Sequence, residues 1–311
     1  MIGTNSTSPA ISVVMPVYNC EQYVSMAIES ILKQSFTDFE FIIIDDGSSD
    51  SSSEIIQQFK DPRINYLRNI VNRGNYQARN HGMEIAAGKY VCVMDADDIS
   101  EHKRLEVQFQ FLESNPDVGI CGTFIKNIPS NIIPRFITDY DQLKVAFLFN
   151  NYCSHPSLMM RREILTKYNL KYNVDYFYSA DYDLCARALR FIKVQNIPCV
   201  LLQYRRHPGQ ISFAKYIEQE RFADIIRINQ LVDIFDFNPE EIPILLHLKL
   251  MKKEPLLAKH HTEAIQWLQL IIEKNKTINY FNQSILEQFL LMCINWSLNP
   301  QRVLAGNSEI N

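Results

Sequence analysis

Between Ile11 and Met94 the chain alternates short apolar runs with segments of helical periodicity, and this alternation restricts its fold more than any other feature. Residues 11–15 form a β-branched run stopped by Pro16, which predicts a buried strand. Residues 21–33 follow with Val24, Ala27, Ile28, Ile31 and Leu32 at helical spacing. A second apolar run, 39–44, breaks at Asp45-Asp46-Gly47. A helix over 48–60, a strand over 64–67, a helix over 76–87 closed by Gly88, and a strand over 90–94 complete the series. Such a series predicts an α/β fold, a mainly parallel Rossmann-like sheet flanked by helices. Ligands of these sheets gather at the carboxyl ends of the strands. The polar stretches 16–19, 45–50 and 95–98 are therefore expected to converge in one crevice.

Beyond Asp98 the alternation loosens. Helices are expected over 101–112, 142–149 and 181–191, and strands over 118–125 and 197–204, with an apolar stretch at 157–160. From Ala214 onward the periodicity is almost wholly helical, with Phe222, Ile225, Ile226, Ile228, Leu231 and Val232 on one face. The expected divisions are a flexible lead-in at 1–10, an α/β domain at 11–213, an all-helical C-terminal extension at 214–300 and a disordered tail at 301–311.

A formal net charge of -4 gives no electrostatic ground for a nucleic-acid partner. The seven cysteines form no Cys-x-x-Cys pair and sit mostly in apolar runs, which points to a reducing compartment. Residues 1–9 lack the basic start and apolar core of a signal peptide. No apolar stretch approaches the roughly 20 residues that cross a bilayer. A cytoplasmic protein is expected.

Met94-Asp95-Ala96-Asp97-Asp98 places three carboxylates directly after an apolar strand. Asp95 and Asp97 point to one side of an extended segment, and their repulsion is relieved by a cation between them. Hard carboxylate oxygens suit magnesium or manganese, which also bridge diphosphate oxygens. Asp98 has a second reading, as the cap of the helix that follows.

Four motifs in register resemble one family. Val14-Met15-Pro16-Val17-Tyr18-Asn19, then Asp45-Asp46-Gly47-Ser48-Ser49-Asp50, then Asn72-Arg73-Gly74 with Ala78-Arg79-Asn80, then Asp95-Ala96-Asp97-Asp98 are similar to the family-two glycosyltransferases of the GT-A fold, over about 11–212. The resemblance implies that Pro16 and Tyr18 lie against a nucleotide and that Asp45 and Asp46 hydrogen-bond its uracil and ribose. Asp45 could instead only cap its turn. Asp95 and Asp97 would serve the ribose and the metal, and Arg79 the base or a phosphate. Arg79 has an alternative as an exposed helix arginine.

In the second half, Ser179-Ala180-Asp181-Tyr182-Asp183-Leu184 resembles the family segment that carries the catalytic base, which assigns that role to Asp181; helix capping is the alternative. Position 180 is Ala where the family often has Glu. His155-Pro156 resembles the turn lining the donor-sugar pocket, or is a buried structural histidine. Tyr204-Arg205-Arg206-His207 resembles a mobile segment whose arginines neutralise the diphosphate and whose His207 joins Asp97 and Asp95 on the metal; a solvated loop or a contact with anionic lipid is the alternative for the arginines.

The implied activity is inverting, metal-assisted transfer of a sugar from a nucleotide diphosphate donor, with UDP expected, to a hydroxyl of a glycan or lipid-linked acceptor. A non-catalytic nucleotide-sugar scaffold is the rival class. A nucleotidyltransferase would need a Gly-rich basic loop that 16–21 lacks. Lys249, Lys252 and Lys253 beside Leu245, Leu246, Leu248 and Leu250 allow a peripheral membrane contact, against which stand core cover or a homodimer through the helical tail. Trp267 and Trp296 read as packing residues.

Overall fold

The computed structural model describes residues 8–298. The expected tail at 301–311 and most of the lead-in lie outside them. Two compact units are present over the described residues. One takes the chain up to Thr138 together with Cys153–Tyr216, and the other takes Asp139–Tyr152 and the chain from Ile217 onward.

The first unit opens with β1 (Ile11–Val17), α1 (Val24–Leu32), β2 (Phe39–Asp45), α2 (Ser52–Gln58), β3 (Ile64–Arg68), α3 (Asn75–Ile85) and β4 (Tyr90–Val93). β1 pairs in parallel with β2 and β4, and β2 with β3. Every residue of β1 and nearly every residue of β2 is buried, which is why these strands read as continuous apolar runs rather than alternating ones. α1 lays Val24, Ala27, Ile28 and Ile31 on this sheet. Val24, Ile28 and Ile31 each contribute about 1.5–3 kcal/mol on burial.

Pro16 does not end β1, contrary to the expectation. Val14 offers its carbonyl to the Met94 amide on the β4 side, and Pro16, two residues on, has its nitrogen on that same side. The β4 pairing stops at Val14 opposite Val93, so no donor is needed at Pro16. Its other edge stays in register with Ile44 of β2.

The sheet then turns mixed. β5 (Ile99–Ser100), α4 (Arg104–Ser114), β6 (Val118–Ile128), α5 (Tyr140–Ala146), β7 (Met159–Arg161), α6 (Arg162–Lys167), α7 (Ala180–Ala188) and β8 (Lys193–Arg205) follow. The 8-stranded order is β3-β2-β1-β4-β7-β6-β8-β5. β7 runs antiparallel between β4 and β6, β6 pairs in parallel with β8, and β8 is antiparallel to β5. The expected α/β class with flanking helices and a C-terminal helical region is what the chain adopts, with antiparallel strands on one side of β4.

α8 (Ile211–Ala214) and α9 (Tyr216–Phe235) lead out of the sheet, and α10 (Ile244–Met251), α11 (His261–Ile278) and α12 (Gln283–Leu298) follow. In the helical unit Val145, Leu148 and Phe149 pack with Leu231, Phe235, Leu246, Trp267 and Leu290. The Lys144 ammonium donates to the Tyr280 carbonyl at 2.6 Å and lies over the Tyr280 ring. Leu246 and Leu250 are core residues, Lys252 pairs with Asp224 at 2.6 Å, and Leu245 is exposed. Among the described residues no helix is long and apolar enough to cross a membrane.

His247 is buried in this unit, where its Nδ1 accepts from Trp267 Nε1 at 3.1 Å and its Nε2 has no partner. Burial, then the Arg227 charge, push its ionisation from 6.5 down to about 3. The unfolded chain therefore binds the extra proton first as pH falls below 6.5, so the stabilisation present above that pH is lost on acidification. We expect His247→Asn to flatten the loss of stability between pH 6.5 and pH 4 by about 3 kcal/mol, at roughly 1.4 kcal/mol per pH unit. Urea unfolding followed by tryptophan fluorescence at several pH values measures it; parallel slopes in the two proteins would refute it.

Candidate active site

The loops leaving β1 and β2 are laced together. The Asp46 amide donates to the Val17 carbonyl at 2.8 Å, the Asn19 amide to Ser48 Oγ at 3.1 Å, and the Ser49 amide to Asn19 Oδ1 at 2.8 Å. Gly47 has φ +77°, and a Cβ there would sit 3.0 Å from the Val71 backbone, so the turn requires glycine. Pro16 is buried at the strand end, whereas Tyr18 is 50% exposed on the loop.

Asp45 has no exposed surface. Its carboxylate accepts from the Ser48 amide at 2.8 Å and the Tyr66 hydroxyl at 3.0 Å, with Arg68 alongside. This is the turn-capping alternative, and it sets Asp45 behind the loop surface. Asp46 accepts from Asn69 Nδ2 and from the Arg73 and Gly74 amides, fixing the loop before α3.

The third polar cluster is the tightest. Asp95, Asp97 and Asp98 bring one carboxylate oxygen each within 4.8 Å of the others. Arg79, 2% exposed, forms an ion pair with Asp95, so the exposed-helix reading of this arginine does not hold. Asp97 Oδ2 lies 3.0 Å from His207 Nε2. The His207 ring rests against Tyr23, whose other neighbour is the Arg205 guanidinium. Arg205 donates from Nε to the Asp97 carbonyl at 2.7 Å and from its amide to Asp98 Oδ1 at 2.8 Å.

α4 starts at Arg104 with Lys103 before it, so Asp98 caps no helix. Its Oδ2 is buried without a partner. Burial, then repulsion from the neighbouring carboxylates, raises the ionisation of both Asp97 and Asp98 above the usual range. Carboxylates that are crowded, resistant to ionising and short of one partner fit a hard divalent cation. Cys20, on the β1 loop, is pushed up to about 12 by burial and then by the charges of Asp97, Asp50 and Asp95. The β1 loop is bonded to the β2 loop through Asn19 and Ser48, and its Tyr23 touches His207, which is bonded to Asp97, so these strand ends do converge.

Asp181 lies in the first turn of α7, two residues past its N-cap Ser179. Tyr76 donates its hydroxyl to Asp181 Oδ1 at 2.9 Å. Tyr76 and Arg79 are one turn apart on α3, so one face of that helix meets both Asp181 and Asp95. Tyr172 stacks on Tyr76, and His155 meets the Tyr76 ring edge to face. His155 Nε2 is 2.8 Å from the Tyr172 hydroxyl, and burial followed by the Arg79 charge lowers its ionisation to about 4, leaving a neutral ring near pH 7. Asp183 pairs with Arg187 along α7.

Of the residues singled out from sequence, Asp95, Asp97, Arg79, Arg205 and His207 are joined directly, and Asp181 is joined to them through α3. Arg206 stands apart, exposed, with its guanidinium over Tyr204. Tyr23, Tyr76 and Tyr172 were not foreseen. Only the position of Tyr76, three residues before Arg79, was a usable signal.

Residues 12–169 match the family model described as glycosyl transferase family 2. An uncharacterized glycosyltransferase of Methanocaldococcus jannaschii is 36% identical over 223 residues, 68% of this chain and 76% of that one. The UDP-Glc:alpha-D-GlcNAc-diphosphoundecaprenol beta-1,3-glucosyltransferase WfgD of Escherichia coli is 27% identical over 218 residues, 70% of this chain and 85% of that one. Among solved structures, S. aureus TarS 1-349 superposes with a TM-score of 0.60 at 15% identity, covering 92% of this chain and 88% of that one. The same fragment has been solved in complex with UDP-GlcNAc. This chain belongs to glycosyl transferase family 2, has the GT-A fold, and is a glycosyltransferase.

α3 approaches β1 closely at Gly82, where a Cβ would collide with Val14 Cγ1. Gly82→Ala is expected to cost about 1–3 kcal/mol of stability by overpacking. It should also lower donor affinity and turnover together, since Arg79 and Tyr76 move as one. Thermal unfolding and steady-state kinetics check this, and a variant with wild-type values in both would exclude it.

Proposed function

We propose that this glycosyltransferase inverts the anomeric centre by direct displacement, moving a sugar from a UDP-sugar to a hydroxyl of a glycan or lipid-linked acceptor, with Asp181 as the base. One observation carries the reading: α3 holds a crowded acidic cluster with one side chain and a separate carboxylate with another. Displacement with inversion needs that division, because the leaving diphosphate and the attacking hydroxyl stand on opposite faces of the sugar. The name of the WfgD relative supports UDP as the donor nucleotide and a diphospholipid-linked sugar as the acceptor class.

A magnesium or manganese ion on Asp97, with Asp95, Asp98 and His207 beside it, would offset the charge that builds on the leaving diphosphate. The remaining steps belong to the chain. Tyr18, exposed on the loop after β1, offers a ring to the nucleotide, and the turn after β2, held by Asp45 and Asp46, presents its backbone. Arg205, fixed at the cluster by Asp97 and Asp98, places positive charge beside the diphosphate; Arg206 serves as an outer contact. Asp181 takes the acceptor's proton as its oxygen attacks. No covalent sugar–enzyme bond is required, and no nucleophilic side chain is assigned. Lipid-linked acceptors would bring the protein to the membrane surface as a peripheral visitor.

A panel of UDP-sugars with manganese, scored for UDP release with and without GlcNAc-diphospholipid acceptors, tests the activity. Asp181→Asn should lower turnover by at least about 100-fold, the usual contribution of a general base, with donor affinity within two-fold of wild type. Loss of donor binding in that variant would show the role to be misassigned. Asp97→Ala should weaken manganese-dependent binding of the UDP-sugar by about 10-fold or more. Binding that is unchanged, or indifferent to manganese in the wild type, would remove Asp97 as a ligand.

A further inference from the structure

We infer that Tyr76 is the positioning residue for the base: its hydroxyl sets the orientation of the Asp181 carboxylate, and a packed group of Tyr172, His155 and Asn80 holds Tyr76 in place. This rests on the reading of Asp181 as the base.

Asp181 is half-buried in the first turn of α7, where a carboxylate at a helix end still has more than one rotamer available. Its neighbour Ala180 is wholly buried and offers no polar group. A hydrogen bond into Oδ1 at 2.9 Å from a side chain on a different element removes part of that freedom.

The donor is itself immobile. The Tyr76 ring stacks on Tyr172 with centroids 5.2 Å apart and planes 24° apart. Residue 172 is gripped at both ends of its backbone by one α3 side chain, since Asn80 Nδ2 donates to its carbonyl at 2.8 Å and its amide donates to Asn80 Oδ1 at 2.9 Å. The Tyr172 hydroxyl is bonded in turn to His155 Nε2, and the His155 ring meets Tyr76 edge to face. Positions 76, 79 and 80 lie on one face of α3. The helix therefore carries the donor to Asp181, the partner of Asp95 and the clamp on Tyr172 within a turn and a half. Burial, reinforced by the adjacent Asp181 charge, raises the Tyr76 ionisation well above the ordinary phenol value, so the hydroxyl keeps its proton and acts as the donor.

Tyr76→Phe tests this, because it keeps the ring and its stack and removes only the hydroxyl. UDP release with the donor and acceptor found in the panel gives kcat and KM, and calorimetry with the same UDP-sugar and manganese gives donor affinity. The expected result is a kcat lowered about 10- to 100-fold, part of what a general base supplies, with donor affinity within two-fold.

Wild-type kcat would overturn the proposal. So would a joint loss of donor affinity and thermal stability, which would make Tyr76 a packing residue. Asp181→Asn, assayed beside it, separates the two claims. If that variant turns over like wild type, the base assignment fails. If it is inactive while Tyr76→Phe behaves as wild type, the base stands and only the positioning role falls.

Discussion

Three carboxylates at the end of β4 set the terms for the rest of the first unit. Oxygens of Asp95, Asp97 and Asp98 lie within 4.8 Å of one another, and Asp98 is almost fully buried. Two unit charges at that spacing repel by about 3.5 kcal/mol at an effective dielectric of 20. The chain answers with parts drawn from distant elements. α3 sends in a buried arginine, the end of β8 supplies a main-chain amide and an arginine side chain, and His207 follows directly behind. β5 is only two residues long, yet its pairing with β8 puts Arg205 within reach of Asp98. These contacts meet the repulsion only in part, since the second oxygen of Asp98 stays unpaired. That shortfall is what a bound divalent cation would fill.

The first half of this arrangement was legible in the sequence for a simple reason. Parallel strands buried on both faces appear as unbroken apolar runs, and here each is cut sharply by polar or glycine residues. β1 to β4 and the helices between them follow those cuts, and the polar stretches after β1, β2 and β4 are the ones that meet. Errors at the boundaries are local. Proline normally closes a strand, but at position 16 its missing donor faces the vacant side beyond β4.

What was not legible depends on partners far away in the chain. β7 is three residues long and is a strand only because β4 and β6 flank it. Asp98 has the composition of a helix cap, and nothing in its neighbours indicates that the helix begins later, at Arg104. The segment Asp139–Tyr152 looks like a helix of the α/β domain, yet it joins the helical unit through contacts such as Lys144 with Tyr280. Tyr76 and Tyr172 are aromatic residues in an unremarkable context, and their stacking across 96 positions is a product of the fold.

The two side chains that α3 sends toward acids differ in kind, and the difference suits the two tasks. Arg79 carries a permanent charge and pairs with Asp95, which stands beside two further carboxylates. A guanidinium against the base of the proposed reaction would work against it, because a nearby cation favours the ionised carboxylate and lowers its appetite for a proton. Tyr76 supplies direction to Asp181 without adding charge. His155, the other titratable group packed against Tyr76 and Tyr172, is kept neutral near pH 7 by burial and by Arg79. One helical turn thus separates a charged partner from an uncharged one, so the acids around this site can be held for opposite purposes by a single rigid element.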